Sequence, residues 1–107
     1  MASTPDTLDQ LRVADNPAQR RYEAYLEDVV AGYSEYRLQP GRIIFTHTIV
    51  EPEYEGRGIG SRLVRHELDD VRQRGLKVTP LCPFVRAYIR RHPDYHDLLH
   101  QPDDRRS

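Results

Sequence analysis

The chain has no tryptophan, only two phenylalanines and a single cysteine. Among its sixteen basic residues Lys77 is the one lysine, and the other fifteen are arginines. With Cys82 alone, no disulfide can form within the chain, so the fold must hold without a covalent staple. No apolar run is long enough to cross a bilayer and no signal-peptide pattern is present. Together with the lone thiol, this leads to the expectation of a soluble, cytoplasmic protein with no membrane partner. An excess of one charge is missing too: sixteen Lys and Arg face seventeen Asp and Glu, a formal net charge of -1. Without a basic surplus there is little to draw nucleic acid, and no nucleic-acid partner is expected. His92, His96 and His100 recur at every fourth position, but Pro93 and Pro102 interrupt the helix that would align them. No carboxylate cluster completes a ligand set, so no metal is expected.

What remains is one small domain of 107 residues, whose seven tyrosines supply most of the aromatic packing. Residues 1–15 are polar and read as a flexible N-terminal segment, with the folded domain over 16–99 and a tail over 100–107. From Arg20 apolar and polar residues alternate, with Tyr22, Ala24 and Leu26 on one side, which predicts a strand. A turn near Glu27 and Asp28 leads to a second strand from Val29, and Pro40-Gly41 turns into a third over Arg42 to Val50. That third strand has β-branched residues on both faces, as expected of a strand covered on two sides. Ile59, Leu63, Val64, Leu68 and Val71 then share one face of a helix from about Gly58 to Arg74, capped by Gly75. Leu76 to Leu81 is a fourth strand, and Pro83 opens a second helix that Pro93 stops. The predicted order is β-β-β-α-β-α, an α+β fold with a mixed, mostly antiparallel sheet and one parallel β-α-β unit.

The stretch joining the third strand to the first helix, Glu55-Gly56-Arg57-Gly58-Ile59-Gly60-Ser61-Arg62, has the chemistry of an anion cradle. The first turn of a helix leaves backbone N–H groups unpartnered and carries the positive end of the dipole, so a diphosphate can settle there. Glycines let the phosphate approach the backbone. A Walker A loop would need Lys and then Ser or Thr after its last glycine, whereas Ser61 and Arg62 follow Gly60. A dinucleotide fingerprint would want a third glycine at Ser61.

The loop resembles instead the diphosphate loop of the GCN5-related N-acetyltransferase (GNAT) superfamily, matching at Gly58 and Gly60 and departing from it at Glu55. Val13 to Pro17, Arg21 to Ala24, His47 to Val50, Pro80 to Phe84 and Tyr88 to Pro93 extend the likeness to the small single-domain GNAT proteins of the YjdJ type. The resemblance implies an acetyl-CoA (coenzyme A) cofactor, an amine acceptor and acetyl transfer to it. It places the backbone of Arg57, Gly58, Ile59, Gly60 and Ser61 on the diphosphate, with Arg57 and Arg62 adding charge. The backbone of Ile49 and Val50 would bond the pantetheine arm where the two parallel strands splay. A non-catalytic CoA-binding or protein-interaction module is the alternative. This chain lacks later strands that wall the acceptor site in larger relatives, and an open groove suits an extended acceptor such as a protein amine.

Three residues are candidates for the chemistry. Cys82 precedes the second helix, whose positive end favours a thiolate at the thioester site, while a lone cysteine is as often a small buried hydrophobe. His47 suits a general base near neutral pH, or is a core histidine in phase with Phe45 and Ile49. Tyr88 resembles the tyrosine that protonates the departing thiolate in many GNAT enzymes, with packing as the alternative. Glu23 and Glu51 read as alternative bases or solvated edge charges.

Overall fold

The structure, a computed structural model, describes residues 10–100. Its first four strands are β1 (Leu11–Asn16), β2 (Arg21–Leu26), β3 (Val29–Gln39) and β4 (Arg42–Val50), each antiparallel to the one before. Helix α1 (Ile59–Gln73) crosses over to β5 (Lys77–Pro80), which pairs parallel with β4, and helix α2 (Pro83–Arg91) follows. The strands lie in sequence order across one sheet, so the mixed, mostly antiparallel architecture and the single parallel unit are as expected. Short stretches of tighter helix occupy Pro52–Tyr54 and Pro93–Leu98.

One strand is additional. Leu11 to Asp15, expected to be flexible, form edge strand β1 against β2, while residues 1–9 of that segment and residues 101–107 of the tail lie outside the described residues. The reason is long-range. Leu11 and Val13 pack on the rim of the core, and the Asp15 carboxylate accepts from the Tyr36 hydroxyl at 2.6 Å and from Arg74 Nη1 at 3.4 Å. None of these partners is visible in the local pattern.

Both helices lie on the same face of the sheet. Tyr22, Ala24, Ser34, Tyr36, Ile43, Phe45 and Val78 point to that face and meet Ile59, Leu63, Val64, Leu68 and Val71 of α1 in the core. Each such aliphatic side chain, fully buried, stabilises by roughly 1.5–3 kcal/mol. Polar clamps fix the helix over the sheet. The Tyr22 hydroxyl donates to Asp70 at 2.6 Å and accepts from Arg74 at 3.0 Å, and the Tyr95 hydroxyl donates to Asp69 at 2.7 Å. At the end of α2, ring N–H groups of His92 and His96 donate to the carbonyls of Tyr88 and Ile89 at 2.8 and 3.0 Å, satisfying acceptors that a helix end leaves open. These two histidines cap a helix. The outer edge of β5 is covered by Leu99, which bridges to Val78, and by the His100 N–H, which donates to the Val78 carbonyl at 2.8 Å.

The opposite face of the sheet carries no helix among the described residues and is dressed by long side chains. Arg12 lies over the Tyr25 ring and Arg21 over the Tyr33 ring, with guanidinium to ring-centre distances of 4.4 and 4.2 Å. Beneath them Glu23 is buried, accepting from Arg21 Nε at 2.7 Å, from Asn16 at 3.2 Å and from the Tyr25 hydroxyl. It is therefore not a solvated edge charge. Burial works against its charge, but these hydrogen bonds outweigh burial and hold its carboxyl below the usual range.

A bulge in β4 decides what faces the helices. Glu35 and Tyr36 on β3 oppose His47 and Phe45, so Thr46 is the extra residue, its hydroxyl donating to the Glu35 carbonyl at 3.3 Å. The side-chain alternation therefore slips by one. Phe45 faces the core, but beyond Thr46 it is Thr48 and Val50 that face the helices, while His47 and Ile49 turn to the open face. His47 is thus not a core histidine in phase with Phe45.

Candidate active site

Strand β4 pairs with β5 only as far as Phe45 opposite Pro80, and then continues alone to Val50. The last link between the two is the Cys82 N–H, which donates to the Phe45 carbonyl at 2.9 Å. Beyond it the strands splay. The gap opens into a crevice of about 380 Å³ lined on one side by Thr48 and Val50, on another by Gly58, Ile59, Gly60 and Ser61, and closed by Phe84.

The N-terminus of α1 points into this space with its donors uncommitted to the helix. The helix's first bond runs from the Arg62 N–H to the Gly58 carbonyl at 3.1 Å, so the N–H groups of Ile59, Gly60 and Ser61 precede it. Gly58 caps the helix with no side chain, and no acidic residue lies in the first turn. Gly58 holds φ +79° and Gly56 φ +81°, the left-handed region in which any other residue would be strained. Gly60 is small for a different reason: a Cβ there would stand 2.8 Å from the Phe84 ring. Uncommitted donors, a positive dipole end and side-chain-free backbone fit the diphosphate of a nucleotide-type cofactor.

At the other end of the crevice Cys82 caps α2, nearly fully buried, and its Sγ donates to Thr48 Oγ1 at 3.3 Å. The thiol thus sits against a residue that lines the crevice.

A family profile described as GCN5-related N-acetyl-transferase matches residues 21–98. The chain belongs to that family. A GCN5-like protein from Staphylococcus aureus superposes with a TM-score of 0.66 at 20% identity, covering 91% of this chain and 95% of that one. The ribosomal-protein-S18-alanine N-acetyltransferase of Escherichia coli gives 0.53 at 18% identity over 58% of this chain and 42% of that one. The ribosomal-protein-alanine N-acetyltransferase of Brucella melitensis gives 0.50 at 17% identity, covering 81% and 65%. No curated protein matches the sequence. At these identities the structural likeness speaks for the GNAT fold alone, and this chain spans about two thirds of the Brucella enzyme and less than half of the Escherichia one.

Within this GNAT protein the expected site residues divide. Val50, Gly58, Ile59, Gly60 and Ser61 meet at the crevice, Arg57 stands in the loop beside it with its guanidinium 5.6 Å from the Tyr54 ring centre, and Cys82 adjoins through Thr48. The side chains of the other four point elsewhere. Arg62 lies on the other side of α1, in a groove with Leu11, Arg12, Val13, Arg65, His66 and Asp69. The Ile49 side chain faces the open side of the sheet, and its backbone, the part expected to meet the pantetheine arm, runs along the stretch of β4 that β5 does not pair with. There too is His47, its side chain 67% exposed and 3.9 Å from the Glu35 carboxylate, with the sheet between it and Cys82. Tyr88 is buried one helical turn beyond Phe84, stacked on His92 at 3.9 Å and beside Tyr95, and burial pushes its phenol up.

The structure adds residues the pattern did not single out for function. Phe84, in the first turn of α2, is 43% exposed and forms a wall of the crevice. Glu55 and Tyr54 line it as well, so the departure from the GNAT loop sits inside the site. Among the described residues no helix is long and apolar enough to cross a membrane.

Proposed function

We propose that this chain is an acetyl-CoA-dependent N-acetyltransferase acting on an amine. The observation that carries the reading is the front of α1, bare of any side-chain cap, opening into the same crevice that reaches Thr48 beside Cys82. The N–H groups of Ile59, Gly60 and Ser61 hold the diphosphate, Arg57 supplies countercharge, and Val50 flanks the pantetheine arm on the unpaired edge of β4. Bound acetyl-CoA supplies an activated thioester. Backbone N–H groups of that unpaired edge polarise the carbonyl, and Phe84 and Val50 exclude water from it. With His47 on the far face of the sheet, the acceptor's proton leaves to solvent; with Tyr88 turned into the packing around His92, the leaving thiolate draws its proton from the crevice end near Thr48 and Cys82. A variant within this class carries the acetyl group on Cys82 before the amine receives it.

Titration calorimetry with coenzyme A and acetyl-CoA tests the cradle, and thiol release across a panel of amines, including peptide N-termini and lysine side chains, tests turnover. Binding at the α1 front with amine-dependent release of thiol is expected; no heat with either ligand overturns the reading. Intact mass after acetyl-CoA alone separates direct transfer from transfer through Cys82. The second reading, a CoA-binding module without turnover, is favoured by Glu55 in the lining and by the placement of His47 and Tyr88 away from the crevice. It predicts binding with no thiol release from any amine.

A further inference from the structure

Glu67 is fully buried in α1, within the apolar stripe between Leu63 and Val71. Its Oε1 has no hydrogen-bond partner, while its Oε2 accepts from Ser34 Oγ at 3.2 Å. Ser34, also fully buried, lies with Oγ 3.3 Å from Thr48 Oγ1, which in turn accepts from Cys82 Sγ at 3.3 Å. Four side chains from β3, β4, α1 and the start of α2 therefore form one unbroken hydrogen-bonded line. It runs from the crevice to a carboxyl sealed off from solvent. Leucine or methionine would fill the Glu67 position without the penalty of an unsatisfied buried oxygen. Burial pushes this carboxyl well above the usual carboxylate range, and the hydrogen bond from Ser34 only partly opposes that. Of the groups facing it, Ser34 from β3 and Thr48 from β4 are hydroxyls, and Cys82 is the titratable one that raises it further.

We propose that Ser34 and Thr48 are a proton relay joining the Cys82 thiol to the Glu67 carboxyl, so that the two share a proton inside the protein. When the pair holds one proton, Cys82 passes it to Thr48 Oγ1, Thr48 passes its hydroxyl proton to Ser34 Oγ, and Ser34 passes its own to Glu67 Oε2. The sum is one proton moved, leaving a thiolate and a neutral carboxylic acid. The negative charge migrates and no new charge is created in the interior, which is why a sealed site can do this cheaply. The reverse passage returns a proton to the crevice. Glu67 is on this account a positioning residue that sets the charge state of Cys82. Its use in acyl transfer rests on the function proposed above, whereas the wiring does not.

The test reads Cys82 with no cofactor present. As it is the only cysteine, the rate of labelling by iodoacetamide, followed by mass across the pH range, reports this thiol alone. The wild type is expected to rise in two steps, because coupled groups titrate as a pair, and Glu67→Gln in one. At a pH between the wild-type steps the two proteins should differ in rate by at least about tenfold, the equivalent of one pK unit of coupling. A Glu67→Gln profile that superimposes on the wild type overturns the proposal, and a wild-type profile in Thr48→Val overturns Thr48 as the link. Should the variants fail to fold, the wild type decides. Infrared spectra of protein isotope-labelled at its glutamate carboxyls should show a protonated carboxyl that titrates at lower pH once methyl methanethiosulfonate caps Cys82. An unchanged carboxyl titration refutes the coupling. Coenzyme A calorimetry on the same samples reports the cradle separately, so either idea can fail alone.

Discussion

Replacing Gly60 with alanine should leave the protein folded while weakening the coenzyme A binding proposed above. A Cβ at this position lies 2.8 Å from Cζ of Phe84 and 3.3 and 3.4 Å from the two Cε atoms, so something must move. The ring is 43% exposed and attached through two rotatable bonds, and it yields before the helix does. Alanine in place of glycine favours a helix by roughly 0.5–1 kcal/mol. The displaced ring gives back packing of comparable size, so stability should stay within about 1 kcal/mol of the wild type. Binding has no such compensation. The new methyl group and the swung ring occupy the space in front of the Ile59, Gly60 and Ser61 amides, and each charge-assisted hydrogen bond lost costs roughly 1.5–3 kcal/mol. That corresponds to roughly a tenfold to hundredfold rise in Kd. Thermal unfolding by circular dichroism reads the first quantity and calorimetry with coenzyme A the second. Unchanged affinity in a folded Gly60→Ala protein would refute the claim that the ligand approaches this backbone.

Gly58→Ala should fail differently, losing about 1–2 kcal/mol of stability in a urea titration because its φ of +79° disfavours any Cβ. Tyr22→Phe removes the hydroxyl between Asp70 and Arg74 and should cost about 1 kcal/mol, with a lower urea midpoint and an unchanged slope. Glu23→Gln should destabilise by roughly 1–3 kcal/mol at neutral pH. Since the folded Glu23 carboxyl lies below its free value of 4.5, that advantage is complete above this pH and fades as pH falls through the lower folded value. Urea midpoints of the two proteins should therefore converge as the pH is taken progressively below 4.5, and a gap that persists in strong acid counts against the ion-paired Glu23.

The elements after Arg42 were legible because their signals are local. Glycines at 58 and 75 bracket α1, Pro83 opens α2, and both hold in the structure. Strand β1 was not legible, since Asp15 and Asn16 look like solvent residues until Tyr36, Arg74 and Glu23 are placed beside them. The Thr46 bulge hid for another reason: with Ile43, Ile44, Thr46, Thr48, Ile49 and Val50 in one strand, both faces read as buried and a slip in phase leaves no trace. The reading of His47 as a core residue in phase with Phe45 rested on that hidden slip. Glu67 does carry a faint mark, a carboxylate four residues after Leu63 and four before Val71 on the apolar stripe. An isolated acid there reads as an exception to the stripe until Ser34 arrives from β3.

The two outer margins of the sheet are treated unequally. The β5 margin is sealed by the protein's own chain through Leu99 and His100, whereas among the described residues no strand pairs with the outer side of β1, where Arg12 is exposed. Charge on an open margin discourages another strand from docking there, and a seal does the same work by occupancy. Proteolysis between Leu98 and Leu99 would strip that seal and bare the backbone of Val78, turning a monomer-compatible margin into an adhesive one. A fusion partner joined beyond His100 would leave it in place.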